Sequence, residues 1–261
     1  MMKEKPANGQ SFGMVIDLDK CTGCGTCMVA CSAENNLSVR PDESDKQRSI
    51  TWMRLYKVTN GKPFPDTEVC YFPRPCMHCD HHTPCVTVCP ATATEIDYHT
   101  GIVSQIYTRC IGCRYCMAAC PYHARTFNWW DGYFPKGKGI ERYLSPEVSP
   151  RMRGVVEKCT FCHHRLMRAK TLAYNEGRRE LKENEYIPAC AEACPAGAIT
   201  FGDLNNPDHK VYKLKSDPRA FRLLEKLGTE PKVYYLSSKA WVRRSADNYR
   251  PGEPVHTVKA G

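Results

Sequence analysis

The chain has 261 residues, 42% of them hydrophobic and 25% charged, which allows one large domain or two small ones and excludes a disordered or fibrous protein. Its formal net charge of +9 would ordinarily point to an acidic partner or a nucleic acid, but no aromatic-plus-basic recognition motif accompanies the charge, so nucleic-acid binding is not expected. Seventeen cysteines are the compositional departure, and their spacing decides what they do.

The opening residues MMKEKPANGQSFG hold neither an apolar core nor a small-residue cleavage site, so no secretory signal is expected there. No later stretch is long and apolar enough to cross a bilayer. Two placements follow: a cytoplasmic chain, or one carried folded across a membrane by a signal-bearing partner. GMVIDLDK alternates and reads as a strand running into CTGCGTCMVAC, a C-x2-C-x2-C-x3-C run at Cys21, Cys24, Cys27 and Cys31. Residues 35–69 are rich in proline, glycine and charge and read as an inserted loop. Cys70 stands alone and reads as a small buried hydrophobe. CMHCDHHTPCVTVCP then supplies Cys76, Cys79, Cys85 and Cys89 with a lengthened middle spacing.

TEID and GIVSQIYTR read as strands joined by a turn at His99-Thr100-Gly101. The second leads into CIGCRYCMAAC, which repeats the first spacing at Cys110, Cys113, Cys116 and Cys120. Residues 131–149 form a second inserted loop. The fourth group is split, with Cys159 and Cys162 in EKCTFC and Cys190 and Cys194 in CAEACP. Between them, residues 165–182 have helical composition interrupted at Gly177. AITF after Cys194 is another strand. Asp217, Pro218 and Gly228 mark the cap, first position and end of a helix whose apolar face is Ala220, Phe221, Leu223, Leu224 and Leu227. PKVYYL at 231–236 reads as a strand. The tail reads as extended, anchored by Trp241 and Tyr249.

Iron in a cubane takes four thiolates. C-x2-C-x2-C wraps three around one cluster, and the cysteine three residues on serves the other cluster of a pair. Applied here, that crossing predicts four sets: Cys21, Cys24, Cys27 with Cys194; Cys31 with Cys159, Cys162 and Cys190; Cys76, Cys79, Cys85 with Cys120; and Cys89 with Cys110, Cys113 and Cys116. Each oxidised cubane with its thiolates carries about −2, so four offset about eight of the nine positive charges. Disulfides rarely use this spacing. Zinc suits paired C-x2-C but leaves the two complete runs unexplained. The stretched loop before Cys85 keeps two cofactor sets open: four [4Fe-4S] clusters, or three with one [3Fe-4S].

Pro90, Pro121 and Pro195 follow the last cysteine of three groups and turn the chain away; Ser32 stands at the fourth. Gly23, Gly25 and Gly112 let the backbone approach sulfide, and Lys20, Arg109 and Lys158, each just ahead of a first cysteine, would favour a reduced cluster. His78, His81, His82, His163 and His164 lie among complete sets and read as neighbours of the ligands or as surface residues. The run Phe127-Asn128-Trp129-Trp130 reads as core, cluster cover or a docking face. No nucleophile–base pair or phosphate loop appears, so no bond chemistry is expected of the chain itself.

Strand, cysteine loop, short helix and strand, used twice, is the arrangement of the bacterial two-cluster ferredoxin. The expected fold is α+β with two such units nested: 12–34 plus 150–205 as the first, 70–130 inserted within it as the second, and 206–261 as a C-terminal extension for partner contact. The four cysteine groups in this order resemble the four-cluster iron–sulfur subunit of molybdopterin-oxidoreductase complexes, over roughly residues 12–236. FNWWD at 127–131 and SPRMRGVVEKCTFC at 149–162 add a finer likeness to the iron–sulfur subunit of menaquinone reductase complexes and alternative complex III. The resemblance implies electron relay between a large molybdopterin-family subunit and an integral membrane quinone-binding subunit. The finer likeness adds a multihaem cytochrome c and a periplasmic location, peripheral to the membrane. The spacing before Cys85 is one residue longer than is common in that family. The rival reading is a free-standing soluble polyferredoxin.

Overall fold

Strand β1 (Phe12–Asp17) is buried at every position, as an apolar FGMVI must be when it lies inside a sheet. The computed structural model describes residues 9–38, 50–132, 134 and 139–247. After β1 come helix α1 (Thr26–Glu34), strands β2 (Arg54–Thr59) and β3 (Val69–Arg74), and the single turn α2 (Pro84–Thr87). Strands β4 (Thr94–Asp97) and β5 (Ile102–Gln105) precede the turn α3 (Tyr115–Ala118). The short strands β6 (Thr126–Phe127) and β7 (Val156–Glu157) flank the second insertion. Helix α4 (His163–Asn175), the turn α5 (Ala189–Glu192), strand β8 (Ile199–Asp203) and helix α6 (Lys210–Lys215) lead to β9 (Ala220–Phe221), β10 (Val233–Leu236) and helix α7 (Ala240–Asp247).

The principal sheet runs β8-β1-β10-β9. Met14 of β1 faces Phe201 of antiparallel β8 on one side and Val233 of parallel β10 on the other. The strand entering the Cys21 run therefore pairs with the strand leaving Cys194. The Cys89 and Cys110 groups repeat the relation: β4, leaving Cys89, pairs antiparallel with β5, entering Cys110. Of two further ladders, β2 pairs with β3 next to it in the chain, and β6 pairs with β7 across the second insertion, joining the segment after Cys120 to the one that leads into Cys159. The thiols are part of the hydrophobic core. Cys27, Cys31, Cys76, Cys79, Cys159 and Cys190 pack in one cluster with Met14, Ile16, Phe161, Leu166 and Tyr235. Cys85 and Cys116 pack in a smaller one with Val103 and Val156.

The turn at His99-Thr100-Gly101 is present, closed by the Gly101 amide on Asp97 O at 2.7 Å. Gly177, with φ +75°, terminates α4 instead of interrupting it, and the helix does not resume over 178–182. GIVSQIYTR is a strand only to Gln105; Tyr107–Arg109 tighten into a 3-10 turn. Residues 35–69, expected as loop, contain β2, whose ladder to β3 overrides their loop-like composition; residues 39–49 lie outside the described residues.

The helix expected over 217–228 is absent. The Asp217 carboxylate accepts the Arg219 amide at 2.8 Å and grips its guanidinium, a tight turn in place of a cap. Ala220 and Phe221 then take ladder partners in β10, and Leu224 sits at φ +50°, which an α-helix does not allow. Gly228 ends only a 3-10 turn over Glu225–Leu227. The tail also differs from the extended expectation. α7 buries Val242 and Ala246 on one face, and Trp241 donates to Glu68 at 2.8 Å; Tyr249 lies outside the described residues.

Candidate metal centres

Cys21, Cys24 and Cys27 line one cavity of about 340 Å³, partly open to solvent, and the fourth thiol lining it is Cys194. Gly25, at φ +77°, turns the loop into α1, which carries Cys27 and Cys31 one turn apart on its buried side. Gly23 has φ +76°, and a Cβ there would meet the Tyr71 ring at 2.6 Å. The Ala198 amide points at Cys194 Sγ at 3.4 Å. Burial pushes the Cys21 thiol up, and Cys194 and Cys24 push it further; Cys27 is raised to about 11 for the same reasons. The exposed Cys24 is held below its ordinary value by the Thr26 hydroxyl, 3.3 Å away.

At the corresponding place in the other half, Cys110, Cys113 and Cys116 line a cavity of about 290 Å³ together with Cys89. Gly112, at φ +71°, lies so close to Gly154 that a Cβ would run into its carbonyl oxygen. Burial alone would raise the Cys89 thiol, but the amides of Thr94, Ala93 and Ala91 outweigh it and hold the thiol low; Ala93 N is 3.2 Å from the sulfur. Such a nest of amides stabilises a thiolate ligand.

The other eight cysteines of the four groups are all buried. Cys31 is wholly buried and raised well above the ordinary range, first by burial and then by Cys159, Cys190 and Cys162. Cys79 is raised to about 12 by burial, Cys76 and Cys85, with Cys120 adding to it. Cys159 is pushed up to about 12 by burial and by Cys76. The Asn35 side-chain amide is 3.8 Å from both Cys31 Sγ and Cys162 Sγ, and the Phe161 amide is 3.4 Å from Cys159 Sγ. Four thiolates packed in one apolar space repel each other until a cationic core neutralises them, and this donor set fits iron–sulfur clusters. The thiols ring spaces and do not converge on a point: among the described residues no group of three or more His, Cys, Asp or Glu is arranged to hold a single metal ion.

The three cations expected beside first cysteines differ in setting. Lys20 and Arg109 are exposed, 3.8 Å from Asp17 and 3.9 Å from Glu95. Lys158 is completely buried and donates to the carbonyls of Val103 and Cys159, the second at 2.8 Å. Cys70 is buried, its thiol 3.9 Å from the Tyr71 carbonyl. His78 is fully buried and neutral, stacked on Phe161 at 3.7 Å while its Nδ1 accepts the Val103 amide at 3.1 Å. His164 is 2.7 Å from Glu34.

Asn35, Arg125 and Arg165 are missing from the sequence reading. Asn35 follows a cysteine by four residues, the spacing that puts it over the same helix face. Arg165 crosses from α4 to Glu34 of α1 at 2.6 Å and to Glu192 of α5 at the same distance, and nothing local marks it. Arg125 is 4% exposed in a segment of otherwise mixed polarity.

Residues 67–143 match the family described as "4Fe-4S dicluster domain" and residues 12–33 that described as "4Fe-4S binding domain". The chain is 59% identical over 246 residues to the menaquinone reductase iron–sulfur cluster-binding subunit of Nitratidesulfovibrio vulgaris, covering 94% of this chain and 95% of that one. It is 37% identical to a putative dimethyl sulfoxide reductase iron–sulfur subunit of Halobacterium salinarum, over 88% of this chain and 80% of the relative. It is also 37% identical to an iron–sulfur subunit of the Hdr-like menaquinol oxidoreductase of Archaeoglobus fulgidus, over 89% and 85%. With eight of its cysteines lining two cavities, four in each, and this likeness along nearly its whole length, the chain belongs to the family of iron–sulfur electron-transfer subunits of respiratory oxidoreductase complexes.

Proposed function

We propose that the sixteen cysteines of the four groups hold four clusters in the crossed sets Cys21/Cys24/Cys27/Cys194, Cys31/Cys159/Cys162/Cys190, Cys76/Cys79/Cys85/Cys120 and Cys89/Cys110/Cys113/Cys116. The observation that carries this is the company of two cysteines: Cys194 lines the Cys21 cavity, and Cys89 lines the Cys110 cavity. Each is the last cysteine of a different group. The pairing of β1 with β8 and of β4 with β5 supports two nested ferredoxin-like units, 12–34 plus 150–205 and 70–130. Bound at these sites, the clusters supply one-electron carriers. The chain supplies the thiolates, the amides of Ala93, Phe161 and Ala198 that face their sulfurs, and the buried cations between them.

The relay runs between a large molybdopterin-type or cytochrome-linked subunit and a menaquinone site in an integral membrane partner, with a multihaem cytochrome c as a further partner. The relatives named for menaquinone and menaquinol reactions support the quinone end. No helix among the described residues is long and apolar enough to cross a membrane, which fits peripheral attachment; the proposed side is the periplasmic face. Iron and acid-labile sulfide analysis of the purified chain, with low-temperature EPR, tests the site assignment. About sixteen iron per chain, or about fifteen with a three-iron signal, is expected; about eight iron with stoichiometric zinc would overturn it.

A further inference from the structure

Arg125 lies between α3 and β6 and is 4% exposed. Its Nη1 donates to Gln105 Oε1 at 2.9 Å and to Thr94 Oγ1 at 3.2 Å, and Thr94 donates to Gln105 at 2.8 Å. Thr94 and Gln105 face each other across the β4/β5 ladder, so the guanidinium is tethered to the hairpin that joins Cys89 to Cys110. Its Nη2 is buried without a hydrogen-bond partner among the described residues. An unpartnered guanidinium nitrogen in a core is costly unless an anion faces it.

The anions facing it are thiols from two different sets. Cys85 belongs to one assigned site and Cys116 to the other, and both thiols lie against the guanidinium, while Thr94 and Gln105, which hold it, line the same cavity as Cys116. Arginine is always charged, so this is a permanent positive charge shared by two cluster sites.

We propose that Arg125 is the fixed cation that sets the reduction potentials of the Cys76/Cys79/Cys85/Cys120 and Cys89/Cys110/Cys113/Cys116 sites together. The assignment rests on the four-set reading given above. A cation stabilises the more negative, reduced state of a neighbouring cluster and so raises its potential; in a water-excluded site that effect is strong. One side chain touching both sites moves both potentials in the same direction. Both potentials thereby shift relative to those of the Cys21 and Cys31 sites.

Reductive titration of the cluster-loaded full chain, with dithionite and mediators and followed by low-temperature EPR, tests it. In Arg125→Gln, two of four reduction steps are expected to move to lower potential while two stay, and Arg125→Lys should restore most of the shift. No movement, movement of one step only, or equal movement of all four overturns the proposal. Loss of iron in both variants also overturns it, because the residue would then be structural. If only Arg125→Gln loses iron, Arg125→Lys at wild-type potentials sustains the proposal and markedly displaced potentials sink it. Fewer than four cluster equivalents in the unaltered chain would instead show that the four-set reading is at fault.

Discussion

Lys158 donates its buried ammonium to the backbone carbonyl of Val103, so a cation just ahead of Cys159 is locked onto the strand just ahead of Cys110. This contact joins the two halves of the molecule through a charge that also lies beside Cys76, Cys159 and Cys85. Lys158→Met keeps much of the side-chain volume and leaves the Val103 and Cys159 carbonyls without this donor. A loss of about 1–3 kcal/mol of stability is expected, measured by denaturation of the loaded chain. Lys20→Met, at an exposed site, should change stability by less than about 0.5 kcal/mol. Equal effects at the two positions would show that burial of Lys158 has no energetic weight.

Cys194→Ala should empty the site lined by Cys21, Cys24 and Cys27, although it lies far away in sequence. About four fewer iron atoms per chain and the disappearance of one EPR signal are expected. Loss of the Cys159/Cys162 cluster alone would mean that the groups do not exchange their last cysteines. Cys70→Ala, outside all four sets, should leave the iron content unchanged.

Gly112→Ala sets a Cβ against the Gly154 carbonyl oxygen at a left-handed φ of +71°. Backbone cannot yield as a flexible side chain can, so the Cys110 loop must deform and its cluster should be lost. Gly25→Ala has a similar φ, +77°, but its Cβ meets nothing within 4 Å. It should cost only about 1–2 kcal/mol, the penalty of the left-handed conformation. Iron analysis of the two variants separates steric conflict from backbone preference.

Glu34 is held at about 2, below its ordinary 4.5, chiefly by hydrogen bonds from Arg165, with His164 adding to the effect and burial opposing it. Because the folded value is depressed, this contribution is complete above pH 4.5 and disappears as the pH falls toward about 2. After discounting for partial exposure it amounts to about 1–2 kcal/mol. Glu34→Gln should therefore be less stable than the unaltered chain at neutral pH, and the two should converge in acid. Parallel stability curves down to pH 3 would exclude the linkage.

The cysteine groups and the strands beside them are legible in the sequence because ligand spacing and alternation are local codes. GMVID, TEID and AITF became β1, β4 and β8 for that reason. The Asp217–Gly228 segment carries equally local helix signals, yet β10 offered Ala220 and Phe221 a ladder and the helix lost. Arg125 could not be picked out, since what distinguishes it is which sulfurs the fold brings near, whereas Asn35 carried the four-residue spacing from Cys31. Lys158 and Lys20 look alike in sequence, both one residue ahead of a first cysteine. One is fully buried and the other exposed, because β7 carries Lys158 into the interior while Lys20 ends a surface turn.

The placement of β1 between β8 and β10 has a consequence for how the protein is made. β1 leaves the ribosome first among the described elements, and both of its neighbours come near the end. At typical synthesis rates of 5–20 residues per second, β1 waits roughly 10–40 s for Val233–Leu236. Until the last part of that interval Cys21, Cys24 and Cys27 also wait for Cys194, which is made shortly before β8. If the crossed sets proposed above hold, the Cys21 site cannot be completed before Cys194 has been made, whereas every ligand proposed for the Cys76 and Cys110 sites is made by residue 120.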